Sequence, residues 1–330
     1  MFDGVDAEVR PLRGGTCHDE AVIVVTGEAL VDRVTTSDGT VTDALGGAPY
    51  NVARALARLG VATEFAGTVS TDALGDDLTT ELERDGVSLH RVQRVAAPTT
   101  LALADVDDRG TARYEFVLDG TSAPMLEHLE PIGADVDAVV TGGLGIVLHP
   151  MASTIVETLA LLDDEVLLFV DVNCRPAVIA ERARYLTELR RVLARADVIK
   201  VSDEDLDVLA PDLDVEQLLA LGAAAVIVTA GGDGTEVVTP SGRIDVPVAP
   251  LPGPLVDTIG AGDTFSAGFI AWWTVGGFGR VGLRAPGALD RLGAAVAAAG
   301  QAAAVTVTRR GCDPPHLADL SSTWTHNPFA

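Results

Sequence analysis

The segment DTIGAGDTFSAGF, residues 257–269, sets a carboxylate into the start of a helical pattern behind three small residues. Gly260, Ala261 and Gly262 let a ligand approach the backbone closely, and the free N–H groups and positive dipole end of a helix suit an anion. Asp263 stands in that first turn, where a carboxylate is favoured and can accept a proton from a hydroxyl. Amides that hold a phosphoryl group beside a base that activates an alcohol make up an in-line transfer site. The same residues also read as nothing more than a glycine turn that starts a helix. A second segment, LGGAPYNVARALARLG at 45–60, again joins glycines to a helix start. Its Asn51 offers a donor and an acceptor, suited to a polyol, or serves as an ordinary polar helix residue.

Composition narrows the choice. The net charge of −25 over 330 residues argues against nucleic acid as a partner, because phosphates call for clustered Lys and Arg. Lys200 is the only lysine and sits in VIKVS without the glycines of a P-loop, so phosphate chemistry here uses another device. Cys17, Cys174 and Cys312 form no CxxC pair or zinc spacing, which suits a reduced cytoplasm. The start, MFDGVDAEVRPLRGG, lacks the pattern of a signal peptide, and no run of about 18 uncharged apolar residues predicts a membrane span. The Ala-rich run from Gly293 to Val307 reads as a buried helix that leads into a strand.

The elements that must position these residues alternate. AVIVVTG (21–27), DAVVTGG (137–143), VLLFVDVN (166–173), DVIKVS (197–202) and AAVIVTAGG (224–232) are apolar runs of the kind found in buried parallel strands. Helical patterns intervene near 48–59, 74–85, 152–162, 184–195 and 214–221. The expectation is an α/β fold: a doubly wound, mainly parallel sheet with helices on both faces. Residues 29–45 and 98–119 break the rhythm with polar/apolar alternation and the turn signals SDGT and DDRG. They read as solvent-exposed antiparallel strands that pair into a small discontinuous β lid. The expected organisation is a flexible extension at 1–20, one domain at 21–312 and a tail at 313–330.

Together the glycine segments resemble the two signatures of the ribokinase-like (PfkB) carbohydrate kinases, GG-x-x-x-N near the start and D-T-x-G-A-G-D near the end. GEALVD (27–32), GTVSTDALGDDL (67–78), DVNCRP (171–176), KVSDEDL (200–206) and TAGGDG (229–234) follow in that family's order, and GEALVD with GGAPxN is most similar to its fructokinase-like branch. The resemblance implies ATP-dependent phosphorylation of a small sugar such as fructose. Asp263 would be the base, and the amides of Gly260, Ala261 and Gly262 the anion hole. It places Asp32, Gly47 and Asn51 at the sugar hydroxyls and Arg175 at the substrate or in a surface ion pair. Ser202, Thr229, Gly231, Gly234 and Gly262 would border the ATP phosphates and ribose, with Gly300 near the adenine. Asp257 and the carbonyls of Ile259, Thr306, Arg309 and Gly311 match the loop that holds potassium in cation-activated members.

Departures from the pattern bear on Mg2+. Ser202-Asp203-Glu204-Asp205 stands where many members read Asn-x-x-Glu, so Asp205, one methylene shorter than Glu, is the implied magnesium contact through water. The same fold would serve 2-keto-3-deoxygluconate, ribose or a nucleoside, although 4% aromatic residues offer little for a nucleobase pocket. A non-catalytic sugar sensor is the reading from another class, and the intact GAGD segment weighs against it. The lid edges also suggest a homodimer interface.

Overall fold

The computed structural model describes residues 21–36, 38–106, 112–321 and Trp324. The expected extension at 1–20, Cys17, Ser37 of the SDGT turn, the DDRG turn and most of the last residues lie outside that set.

In chain order the strands are β1 (Val22–Thr26), β2 (Leu30–Thr35), β3 (Val41–Gly46), β4 (Ala62–Ala66), β5 (Thr68–Ser70), β6 (Gln93–Val95) and β7 (Leu101–Val106). They continue with β8 (Ala112–Val117), β9 (Ala138–Gly142), β10 (Leu167–Asp171), β11 (Val198–Ser202), β12 (Ala225–Thr229), β13 (Thr235–Thr239) and β14 (Gly242–Val246). The helices are α1 (Ala48–Arg58), α2 (Ala73–Asp85), α3 (Met151–Leu159), α4 (Arg182–Leu193), α5 (Asp203–Leu209), α6 (Val215–Ala220), α7 (Ala261–Val275), α8 (Gly279–Gly282) and α9 (Ala288–Thr306).

The large sheet has the order β14-β13-β12-β11-β10-β9-β1-β4. It is parallel from β4 to β12, and an antiparallel hairpin, β13–β14, closes one edge. Strands β9 and β10 are buried at every position, as their unbroken apolar runs require when both faces are covered. Two large apolar clusters fill the space between this sheet and its helix layers. One is centred on Tyr50, Phe65, Phe169, Phe269 and Trp273, the other on Ile146, Met151 and Leu189. Helix α7 is buried from Thr264 to Thr274 and packs along the Ala-rich α9.

The expected lid strands form a second sheet, ordered β3-β2-β7-β8. Its two hairpins are antiparallel, but β2 and β7 join them in parallel. The sheet is also less exposed than its alternation implied: Leu30 and Ala102 pack on Leu144 of the main body, and Val31 joins the core beside Tyr50. Burial is confined to one end of the β2–β3 hairpin: β2 buries its first two residues and β3 only its last, Gly46, so alternation along each strand does not report it.

One further expectation is corrected. Among the described residues no strand follows α9. The Val307 carbonyl accepts the amides of both Val256 and Asp257, and the backbone then turns through Gly311 at φ 65°. The contact with 256–257 is therefore a single shared carbonyl rather than a ladder.

Candidate active site

The carboxyl ends of β9, β10, β11 and β12 line one edge of the parallel sheet, where ligands bind in doubly wound folds. Helix α7 begins there. Its N-cap, Gly260, has φ 74°, and a Cβ at that point would sit 2.2 Å from Cys312 Sγ, so only glycine fits the turn. The Ala261 amide bonds to the Thr258 carbonyl at 3.2 Å, whereas the Gly260 and Gly262 amides have no acceptor among the described residues. Of the three amides expected to form an anion hole, two are thus open.

Asp263 is the third residue of the helix. Enclosure pushes its carboxyl up to about 6, and the neighbouring Asp171 charge pushes the same way; the hydrogen bond from Asn51 and the cations Lys200 and Arg175 pull it down. Asn51 Nδ2 donates to Asp263 Oδ2 at 2.8 Å, while Asn51 Oδ1 is buried with no partner. Asn51 is carried by α1, which an ionic cluster fixes firmly. Arg54 pairs with Asp85 and Glu81 on α2, and Arg58 reaches Asp85 and Asp313.

At the other end of α1 the backbone enters through Gly47 at φ 105°, where a Cβ would come 2.7 Å from the Glu28 carbonyl. Asp32, half-buried on β2, lies against the neighbouring Gly46: a Cβ there would meet its Oδ2 at 2.4 Å. Burial pushes the Asp32 carboxyl up to about 6, against the pull of Arg175. Arg175 itself is exposed and, among the described residues, donates only to the Cys174 carbonyl, yet its charge acts on Glu28, Asp32 and Asp263 alike. Asn51 thus touches Asp263, and the charge of Arg175 reaches both Asp32 and Asp263, so side chains from four distant segments come near one another.

The expected nucleotide residues occupy the adjoining strand ends. Ser202 and Thr229 are register partners across β11 and β12. Gly231 and Gly234 form the turn that follows β12, and Gly300 faces Ala249 from α9.

Asp205 is held by backbone amides. Its Oδ2 accepts the Ser202 amide at 2.8 Å and its Oδ1 the Cys174 amide at 2.6 Å, while Ser202 Oγ accepts the Asp205 amide. The pair is a capping box that starts α5 and ties it to the loop after β10. Each oxygen of Asp205 accepts one backbone N–H, which fixes the side chain within the capping box. Among the described residues no three His, Cys, Asp or Glu side chains converge as a metal cage.

The five residues of the expected monovalent-cation loop do come together. Asp257 accepts the amides of Ile259 and Gly311, each at 3.0 Å, which binds two loops side by side. The carbonyls of Thr306 and Gly311 accept the amides of Arg309 and Asp313, whereas those of Ile259 and Arg309 take no N–H among the described residues. Open carbonyls beside a carboxylate fit a hard monovalent cation.

Sequence reasoning missed four buried groups at the site. Lys200 Nζ donates to both oxygens of Asp171, at 2.8 and 2.9 Å, and Ser266 Oγ donates to Asp171 Oδ2 at 2.8 Å. Lys200 Nζ also lies 3.5 Å from the point where a Gly262 Cβ would stand, directly under the open amides. A lone lysine inside an apolar strand was the available signal. Glu28, which lies within GEALVD and was given no role, is the fourth.

The model of the pfkB family carbohydrate kinases matches residues 20–318. A fructokinase from Rhizobium leguminosarum bv. trifolii is 32% identical over 263 residues, which cover 76% of this chain and 79% of that one. A fructokinase from Xylella fastidiosa, solved with bound ATP, superposes with a TM-score of 0.75 at 24% identity over 91% of this chain and 94% of its own. A fructokinase from Vibrio cholerae O395, solved with fructose, ADP and a potassium ion, superposes at 0.72 with 23% identity, covering 89% and 94%.

Proposed function

The chain belongs to the pfkB family of carbohydrate kinases, ATP-dependent phosphotransferases acting on sugars, and on that premise we propose that fructose is its acceptor and Asp263 its catalytic base. The observation that carries the reading is the Asn51–Asp263 hydrogen bond, which joins the polyol-facing turn to the anion-facing turn. In this reading Asp263, ionised above about 6, takes the proton of the attacking hydroxyl. The open amides of Gly260 and Gly262, with the helix dipole and buried Lys200 behind them, receive the transferred phosphoryl group and its spreading negative charge. Asp32 accepts hydrogen bonds from sugar hydroxyls, and the unpartnered Asn51 Oδ1 accepts another. Arg175 stands at the outer end of the same space.

Ser202, Thr229, Gly231, Gly234 and Gly300 would bed the nucleotide. Magnesium enters as the counter-ion of the nucleotide's phosphates rather than through Asp205. Potassium at Asp257 and its neighbouring carbonyls would lock the two loops that lead into α7. The second sheet would close over the sugar and keep water from competing for the phosphoryl group, and its outer edge is where a second copy would pair. No described helix is long and apolar enough to cross a membrane, and the need for ATP favours the cytoplasm.

The test is turnover with ATP and magnesium, with and without potassium, against fructose, other hexoses, ribose, 2-keto-3-deoxygluconate and nucleosides. Fructose should give the highest kcat/KM. A clear preference for any other acceptor overturns the substrate, and no response to potassium overturns the cation site.

A further inference from the structure

We propose that Glu28 is a positioning residue of the acceptor site, pinning the Gly46–Gly47–Ala48 turn and the start of α1 to the turn at Gly143–Ile146, and so fixing Asn51 and Asp263. The proposal rests on the reading of Asp32, Gly47 and Asn51 as the acceptor wall.

Glu28 stands between β1 and β2, where the chain first passes from the large sheet to the second one, and it is only 3% exposed. Its Oε1 accepts the Ala48 amide at 3.2 Å and its Oε2 the Gly145 amide at 3.0 Å. Ala48 is the first residue of α1. The N-cap, Gly47, has no side chain, and the next residue, Pro49, has no N–H. Glu28 therefore supplies from a distance the acceptor that a Ser or Asp cap would supply locally, with a charge suited to the helix dipole. Its backbone presses on the same turn, since the Glu28 carbonyl is what a Cβ on Gly47 would strike.

One helical turn onward, the Asn51 amide bonds to the Gly47 carbonyl at 2.9 Å, and its side chain reaches Asp263. The path from Glu28 to the base thus runs through one capped amide, one turn of helix and one side-chain bond. None of these contacts involves Ser202, Thr229 or the loop after β12. The choice of a carboxylate also follows. Glutamine would accept at one end only and would turn an NH2 donor towards the other N–H, whereas Glu accepts at both. This pair of hydrogen bonds is kept despite the cost of burial, which pushes the Glu28 carboxyl up to about 7.

The test compares wild type, E28Q and E28A, with folding checked by circular dichroism. The sugar is whichever acceptor wild type prefers in the panel above, so a wrong substrate assignment leaves this test intact. D32A serves as the independent check on the acceptor wall. E28Q should raise the sugar KM about 10-fold, weaken sugar binding measured calorimetrically without ATP by a similar factor, and leave the KM for ATP within about twofold. E28A, which leaves both amides bare, should weaken sugar binding further; if it fails to fold, E28Q decides alone. Sugar affinity within about twofold of wild type in E28Q overturns the proposal, as does an equal loss of ATP and sugar affinity, the mark of general loosening.

Discussion

Asn51 Nδ2 donates to Asp263 Oδ2 across 2.8 Å, although 212 residues separate the two in the chain. The bond opposes the enclosure that pushes the Asp263 carboxyl up to about 6. A base must be ionised to act, so turnover should fall as pH drops through that value. Asn51→Asp replaces the donor with a second carboxylate, which disfavours ionisation of Asp263. The acidic limb of the pH–kcat profile should then move up by at least about one pH unit. An unmoved limb would mean that Asp263 does not set it.

Asp263→Asn removes the proton acceptor while keeping the shape, and kcat should fall by about two to four orders of magnitude with sugar binding retained. The same change should stabilise the fold at pH 8. A carboxyl whose folded pKa is raised contributes stability that is fully present below its unfolded value of 3.8 and lost as pH rises through about 6. Wild type at pH 8 therefore bears the cost of an enclosed charge that D263N lacks. Thermal melts at pH 8 should show D263N higher by about 2–4 °C, with the gap closing near pH 4.

Asp32→Ala takes away hydroxyl contacts far from the strand ends that would hold ATP. The sugar KM should rise steeply, about 10-fold or more, with the KM for ATP nearly unchanged. Impaired ATP binding with intact sugar affinity would put the acceptor at the wrong end of the site.

Lys200→Met leaves Asp171 buried without its cation, keeping only the Ser266 hydroxyl. Removing one partner of a buried ion pair typically costs about 3–5 kcal/mol. Urea denaturation should show a loss of that order, and kcat should fall too because the positive charge beneath Gly262 is gone. An unchanged midpoint would show that the pair is dispensable.

With a net charge of −25, like charges repel over the whole surface. Raising KCl from ~0.05 M to ~1 M shortens the screening length to about 3 Å, so the melting temperature should climb by several degrees. NaCl should act equally on this general term, and any extra gain in KCl alone would report the Asp257 loop.

The sequence alone determined the layers and the chemical types present at the site. Unbroken apolar strands separated by amphipathic segments demand a covered parallel sheet, and a glycine turn before a helix demands a close approach, because both follow from rules local to a few residues. The partners of those residues were not legible. The sequence presents Asn51 as a polyol contact, but the structure also places it on the base. Asp205 is three residues beyond the end of β11 and offers a carboxylate, yet its oxygens accept the Ser202 and Cys174 amides. Lys200 served only to exclude a P-loop until the pairing of β10 with β11 set it opposite Asp171. Each of these outcomes depends on strand order and register. A buried charge or donor must find its partner among whatever the fold brings within about 3 Å, and that distance is unrelated to separation along the chain.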